Sequence, residues 1–151
     1  MLKKLSLVLI AALAVMVVVG VATAFAAEFG TAAEAKAMLE KAVAAVKKDK
    51  AKALDMFTKG EGGFKDRDLY PFCGGPDGNF TAHPKLVGKS LKELKDKAGK
   101  ALGEEMYKVA KEGKISEVGY MWPRPGSETP VQKVSFVTKA GDQVCAVGYY
   151  K

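Results

Sequence analysis

The chain has 151 residues, a length that allows one domain and excludes a large multidomain enzyme. Hydrophobic residues make up 48% and charged residues 27%, an ordinary globular composition that excludes a wholly disordered chain. Lysine and arginine total 24 against 17 aspartates and glutamates, which gives a formal charge of +7. A balance this basic raises the question of an anionic partner.

The first 26 residues have the features of a secretory signal peptide. Lys3 and Lys4 precede a run without charge from Leu5 to Ala27, and Ala24-Phe25-Ala26 has the small-x-small pattern of a signal-peptidase site. The run is also close to the ~20 residues that span a bilayer, so an uncleaved membrane anchor is the alternative. In both cases we expect residues 27–151 to be periplasmic or secreted. Because the domain is exported and its lysines are dispersed, we expect no nucleic-acid partner.

Two cysteines, Cys73 and Cys145, lie in different predicted strands of the exported part. A disulfide persists in such a compartment, and one bridge would account for both residues. Two buried thiols are the alternative, since the sequence does not show whether the strands are neighbours. There is no C-x-x-C motif and only one histidine, so zinc, haem attachment and thioredoxin-like chemistry lack their ligands. We therefore expect no metal and no cofactor.

A capping box predicts that a long amphipathic helix begins at Ala32. Thr31 is followed three residues later by Glu34, an arrangement that satisfies free N–H groups at a helix N-terminus. Apolar residues then recur at the spacing of one helix face: Ala35, Met38, Leu39, Ala42, Val43 and Val46. A continuation of this pattern runs from Ala53 to Phe57 and stops before Gly60.

The next segment has the pattern of a β-hairpin. Tyr70 and Phe72 precede the turn sequence Gly74-Gly75-Pro76-Asp77-Gly78, and the segment from Phe80 to His83 follows it. Asp77-Gly78 provides the positive-φ residues of such a turn.

Two short helices are predicted after Pro84. Ser90 and Glu93 form a second capping box for a brief helix through Leu91 and Leu94. A further helix carries Leu102, Met106, Val109 and Ala110 on one face and ends at Gly113.

Three strands complete the chain: Ile115 to Trp122, Val131 to Thr138 and Gln143 to Tyr150. The element order predicts an α+β domain in which the long N-terminal helix packs on a five-stranded antiparallel sheet. We expect the central helical segment and the Pro-rich loop at residues 123–126 to cover the other face or to leave a small pocket. The reason is that four aromatic residues are costly to expose together: Tyr120, Trp122, Phe136 and Tyr149.

Several segments occur together in the order typical of one known family. They are Phe64-Lys65-Asp66-Arg67-Asp68-Leu69-Tyr70, Asp77-Gly78, Ala82-His83-Pro84, Leu86-Val87-Gly88-Lys89-Ser90, Tyr120-Met121-Trp122-Pro123-Arg124-Pro125, Lys133-Val134-Ser135-Phe136-Val137 and Val147-Gly148-Tyr149-Tyr150. With these segments the chain resembles a single Cache domain of the sCache type 2, the extracytoplasmic PAS-like sensor of bacterial chemoreceptors and kinases. The resemblance covers most of residues 27–151.

The resemblance implies a PAS-like fold with a small-ligand pocket on the sheet face opposite the long helix. Members of the family often bind small carboxylates or amino acids in that pocket. Receptors of the family continue into a second transmembrane helix and a cytoplasmic output module, whereas this sequence stops at Lys151. We therefore expect ligand sensing or capture, with a membrane receptor or kinase as a candidate partner for transmission.

Three side chains are candidates to bind an anionic ligand. Arg67 has the planar donors for a bidentate carboxylate pair, and the alternative is an ion pair with Asp66 or Asp68. His83 offers a ring nitrogen at neutral pH, and a purely structural histidine is the alternative. Lys133 provides a second positive charge beside the predicted aromatic residues, although most lysines are solvated surface residues.

Three aromatic side chains are candidates for the walls of the pocket. Tyr120 and Trp122 alternate with Met121 and therefore point to the same side of their strand. Their OH and NH groups need partners when buried, which favours a pocket over a dry core. Tyr70 is included on the same reasoning.

The sequence contains no G-x-S-x-G elbow, no P-loop, no G-x-G-x-x-G motif and no histidine pair, so we expect no enzymatic activity. The main hypothesis is an extracytoplasmic domain that binds a small organic acid or amino acid for signal transduction, as in chemotaxis. A ligand-free adaptor that docks on a membrane receptor is the alternative. A thiol redox protein using Cys73 and Cys145 is the third hypothesis, and it requires exposed, reactive thiols.

Overall fold

The computed structural model describes residues 27–151, and the predicted signal peptide, residues 1–26, lies outside the described residues. The elements in chain order are α1 (Ala32–Lys48), α2 (Lys50–Lys59), β1 (Pro71–Gly74), β2 (Phe80–Ala82), α3 (Leu102–Val109), β3 (Ser116–Pro123), β4 (Pro130–Ala140) and β5 (Gln143–Tyr150). Across residues 27–151, no helix is both long enough and apolar enough to cross a membrane.

The N-terminal helical segment consists of two helices that meet at Asp49. The predicted capping box is present, because the Thr31 N–H donates to Glu34 at 2.8 Å and the Glu34 N–H donates to the Thr31 hydroxyl at 3.2 Å. Asp49 has an extended backbone, with φ −156°, which ends α1. Its carboxylate then accepts a hydrogen bond from the Lys52 N–H and caps α2.

The five strands form one antiparallel sheet in the order β2-β1-β5-β4-β3. Gly78, with φ 85°, provides the predicted left-handed turn residue between β1 and β2. Cys73 of β1 lies directly opposite Cys145 of β5, and the two residues are joined by a disulfide. The predicted α+β class with a five-stranded antiparallel sheet is confirmed.

Each face of the sheet buries its own apolar cluster. One face packs against α1 and α2, and the other packs against α3 and the loop before it. Phe136 and Tyr149 lie on the α1 face, with their rings stacked at a centroid distance of 5.7 Å. The expectation that these two residues share a face with Tyr120 and Trp122 is wrong, because alternate residues of β4, including Lys133, point to the α3 side.

The predicted helix through Leu91 and Leu94 is absent from the described structure, where the segment forms turns. The Ser90 hydroxyl accepts the Glu93 N–H at 3.1 Å, so the local cap forms. The N–H groups of Leu91 and Lys92 instead donate to the carbonyl of Gly78, which fixes this segment against the β1–β2 turn. A continuing helix would need the Ala98 N–H to donate to the Leu94 carbonyl, but that carbonyl accepts from the Gly103 N–H and the Ala98 N–H donates to the Asp96 carboxylate. The later helix, α3, forms but ends at Val109, before the predicted Gly113.

Candidate functional site

A small cavity lies in the layer between the sheet and the segment that contains α3. We call it the inner cavity, and it is lined by Tyr70, Phe72, Phe80, His83, Leu94, Leu102, Tyr120, Trp122 and Lys133. Its volume is about 10 Å³, enough for one water molecule. Five of the six predicted ligand-binding residues are therefore brought together, and Arg67 is the exception.

Lys133 is held in a row of side chains across three strands. It pairs with Tyr120 on β3 and with Tyr150 on β5, so the three side chains lie on the same face. The row is close-packed because Gly148 lacks a side chain: a Cβ there would clash with Lys133 Cε. Glycine at position 148 thus leaves the space through which the lysine side chain runs.

The ammonium group of Lys133 is buried and has only neutral neighbours at close range. The residue is 1% exposed, and its Nζ donates to the Tyr70 hydroxyl at 3.2 Å. The rings of Tyr70 and Tyr150 lie 4.6 Å and 4.8 Å from Nζ, close enough for cation–π contacts. Among residues 27–151, no carboxylate forms an ion pair with this lysine.

Burial lowers the pKa of Lys133 to about 7, and the more distant charge of Asp68 opposes this shift. Burial also raises the pKa of Tyr70 to about 12 and raises the pKa of Tyr120 and of Tyr150. The tyrosines thus remain neutral at physiological pH. The Tyr120 hydroxyl is also engaged, with Ser135 Oγ at 2.8 Å.

His83 is nearly buried, at 8% exposed, and forms part of the aromatic wall of the inner cavity. Its ring packs edge-on against Tyr70 and Phe80, at centroid distances of 5.5 Å and 5.1 Å. Nδ1 accepts the Lys85 N–H at 2.9 Å, which leaves Nε2 as the protonated nitrogen. Burial, with the charges of Lys133 and Lys85, lowers the pKa of His83 to about 4. The ring is therefore a neutral hydrogen-bond donor at pH 7.

A larger depression, which we call the outer cleft, lies beside the inner cavity. It has a volume of about 410 Å³ and is lined by residues 57–60, 65, 67, 70, 83–86 and 122–127. Tyr70, His83 and Trp122 line both spaces and form the wall between them.

Arg67 lies at the outer cleft, and its guanidinium is already paired. Its Nη2 lies 2.7 Å from Glu34 and 2.8 Å from Asp66, and Nη1 donates to the Phe29 carbonyl at 3.0 Å. One of the alternatives considered for Arg67, an ion pair with Asp66, is thus present. The capping carboxylate of α1 is the second partner. The structure does not place Arg67 in the inner cavity.

Sequence reasoning missed the apolar lining residues Phe72, Phe80, Leu94 and Leu102, as well as the contact between Tyr150 and Lys133. A signal for that contact was present. Gly141 and Asp142 form a two-residue connection between β4 and β5, and such a turn fixes which residues of the two strands face each other.

Comparison with known proteins identifies the family to which this domain belongs. The family model described as Cache domain matches residues 26–149. The chain therefore belongs to the Cache domain family.

Relatives and structural neighbours come from chemoreceptors. A 56-residue segment is 38% identical to the methyl-accepting chemotaxis protein McpP of Pseudomonas putida, covering 37% of this chain and 10% of that receptor. The structure of a methyl-accepting chemotaxis protein from Vibrio parahaemolyticus has a TM-score of 0.64 at 24% identity, over 78% of this chain and 86% of that chain. A periplasmic sensor domain of a chemotaxis protein has a TM-score of 0.59 at 26% identity, over 76% and 86%.

A further structural neighbour was described in terms of carboxylic acid recognition by a Cache chemosensory domain. It has a TM-score of 0.58 at 23% identity and covers 76% of this chain and 84% of that chain. At this identity, the likeness concerns the fold.

Proposed function

We propose that the protein is an extracytoplasmic Cache domain that binds a small organic acid at the inner cavity, for sensing or signal transduction. The observation that carries this proposal is the buried ammonium of Lys133, which faces the cavity without a carboxylate partner among the described residues. A buried charge without a counter-ion is unfavourable, and a ligand carboxylate would provide one. Neutral donors from Tyr70 and His83 would complete its hydrogen bonds.

The comparisons agree with this choice of ligand class and location. One neighbour is described as a Cache chemosensory domain that recognises carboxylic acid and another as periplasmic, and a disulfide suits an oxidising compartment. The domain would act by binding alone, with no covalent chemistry. A membrane receptor or kinase would be the partner that passes on the signal.

The volume of the inner cavity supports a second candidate, a ligand-free adaptor that docks on a membrane receptor. Space for one water is too small for acetate unless Trp122 or its neighbours move. Under this hypothesis the cavity is a vestige, and no acid would stabilise the protein.

A thermal-shift screen of the purified protein against acetate, propionate, pyruvate, lactate and the amino acids separates the two candidates. We expect at least one compound to raise the melting temperature, since a ligand at a hundred times its Kd stabilises by about 2.7 kcal/mol. Lys133→Met should abolish the shift, whereas Lys139→Met, an exposed lysine on the same strand, should retain it. Absence of any shift, or an equal shift in Lys133→Met, would contradict acid binding at Lys133.

A further inference from the structure

The outer cleft combines a large volume with one sign of charge. Of the described residues that line it, five are basic and none is acidic; the basic ones are Lys59, Lys65, Arg67, Lys85 and Arg124. Clefts lined by charges of one sign concentrate ions of the opposite sign. The lining therefore selects for anions.

Three of the five cations form ion pairs with carboxylates outside the cleft, and Arg124 is one of them, through Asp68. Arg67 is paired with Glu34 and Asp66, and Lys59 lies 2.7 Å from Asp55. Lys65 and Lys85 are exposed and form no ion pair within residues 27–151. These two ammonium groups are thus available to a ligand.

Arg124 is a third cation of the cleft, and it is held in place by aromatic rings and by an ion pair with Asp68. Its guanidinium lies 4.1 Å from the Phe29 ring centroid and 5.0 Å from that of Tyr150. Its Nε is buried and lies 3.6 Å from the Oδ2 of Asp68, close enough for an ion pair but too far for a hydrogen bond. These contacts orient a guanidinium whose side chain is still 26% exposed.

The backbone of the cleft is also fixed at Lys85. The Lys85 N–H donates to Nδ1 of His83, which packs in the wall shared with the inner cavity. The backbone position of Lys85 is therefore defined, although its side chain forms no ion pair within the described residues. Two ammonium groups without an ion pair in residues 27–151 and one partly exposed guanidinium are thus carried by three separate segments around one cleft.

A single exposed ion pair is worth only about 0–1 kcal/mol, so a ligand with one charge would gain little in an open cleft. A ligand whose charges reach several of these cations at once would gain from each. We propose that the outer cleft is a second binding site, separate from the inner cavity, for a small molecule with two or more clustered negative charges. Polycarboxylates and phosphorylated compounds share this chemistry.

Isothermal titration calorimetry at fixed ionic strength tests the proposal with citrate, pyrophosphate and acetate as probes. We expect citrate or pyrophosphate to bind more tightly than acetate in the Lys133→Met protein, where the inner cavity no longer contributes to acetate binding. The double variant Lys65→Gln/Lys85→Gln should weaken that binding by about tenfold. The matched control is Lys36→Gln/Lys48→Gln, which removes the same charge from exposed positions on α1 and should bind as the wild type does.

Binding of citrate alone would assign the site to polycarboxylates, and binding of pyrophosphate alone would assign it to phosphates. Lys133→Met should leave both affinities unchanged, which distinguishes this site from the inner cavity. Failure of citrate and pyrophosphate to bind better than acetate in the Lys133→Met protein would overturn the proposal. An equal loss in the control variant or a loss in Lys133→Met would also overturn it.

Discussion

At the scale of single residues, burial of Lys133 is unfavourable for folding and is also the basis of the proposed function. Its ammonium is desolvated, and its compensation comes from one hydroxyl and two aromatic rings. Such neutral partners recover part of the hydration energy but not all of it. The pKa of Lys133 is lowered for the same reason, because burial disfavours the charged form and the neutral partners offset this only in part.

Replacement of Lys133 by methionine should therefore stabilise the ligand-free protein. Methionine retains the apolar stem and removes the buried charge, so we expect the free energy of unfolding at pH 7 to rise by about 1–4 kcal/mol. Urea unfolding measures this directly. The matched Lys139→Met change, at an exposed position, should stay within about 0.5 kcal/mol of the wild type. A less stable Lys133→Met protein would mean that the contacts with Tyr70 and Tyr150 outweigh the desolvation.

The stability difference between Lys133→Met and the wild type should depend on pH. The pKa of Lys133 is about 7 in the folded protein against 10.5 ordinarily, so the unfolded state binds more protons between these values. The stability of the wild type should then rise relative to the variant from pH 7 to pH 9, by about 1 kcal/mol per pH unit. Tyr70 and His83, with pKa values of about 12 and 4, do not titrate in this window. A constant difference in urea unfolding across these pH values would contradict the assignment.

At the scale of elements, the disulfide ties β1 to β5 across 72 residues of sequence. Both cysteines are fully buried in the cluster that faces α1, so the bridge lies inside the core. A cross-link of this span restricts the unfolded chain strongly.

Removal of the disulfide should lower stability without changing the fold. We expect Cys73→Ala/Cys145→Ala to lose about 2–5 kcal/mol in urea unfolding. The wild type in reducing agent provides the control, because it keeps both side chains and loses only the bond. Equal stability of the reduced and oxidised wild type would show that the cross-link has no role in stability. Buried, cross-linked sulfurs also disfavour the redox hypothesis, which requires exposed thiols.

The accuracy of the sequence-based prediction differs between elements for a physical reason. β5 was predicted with the bounds that the structure shows, because the turn at Gly141 and a run of β-favouring residues define it locally. The helix at Leu91 was wrong although its cap is present, because the Gly103 N–H takes the Leu94 carbonyl and the Asp96 carboxylate takes the Ala98 N–H. Local signals are reliable where no remote partner competes for the backbone.

The same distinction applies to the candidate site. The alternation of Tyr120 and Trp122 placed both side chains on one face, and the structure agrees. The position of the Arg67 side chain depends on which carboxylate it pairs with, and several acidic residues lie within a few positions of it in the sequence. Glu34, one of its two partners, lies in another element, and nothing in the sequence links the two residues.

At the scale of the whole molecule, the two faces of the sheet differ in what they contain. Its α1 face is an apolar core closed by a disulfide, and its α3 face contains the buried lysine, the inner cavity and the wall toward the outer cleft. Both faces thus contribute apolar core, and the proposed binding site lies on the face opposite the disulfide.

The wall shared by the inner cavity and the outer cleft includes Trp122, the only tryptophan in the sequence. Its indole is half-buried at the boundary, 6.2 Å from the Tyr120 ring on one side, while Arg124 follows two residues later on the other. Selective excitation of tryptophan therefore observes this boundary and no other part of the molecule. Binding of a ligand in the inner cavity or the outer cleft, as proposed, should therefore change the fluorescence of Trp122, which can be followed without an attached dye.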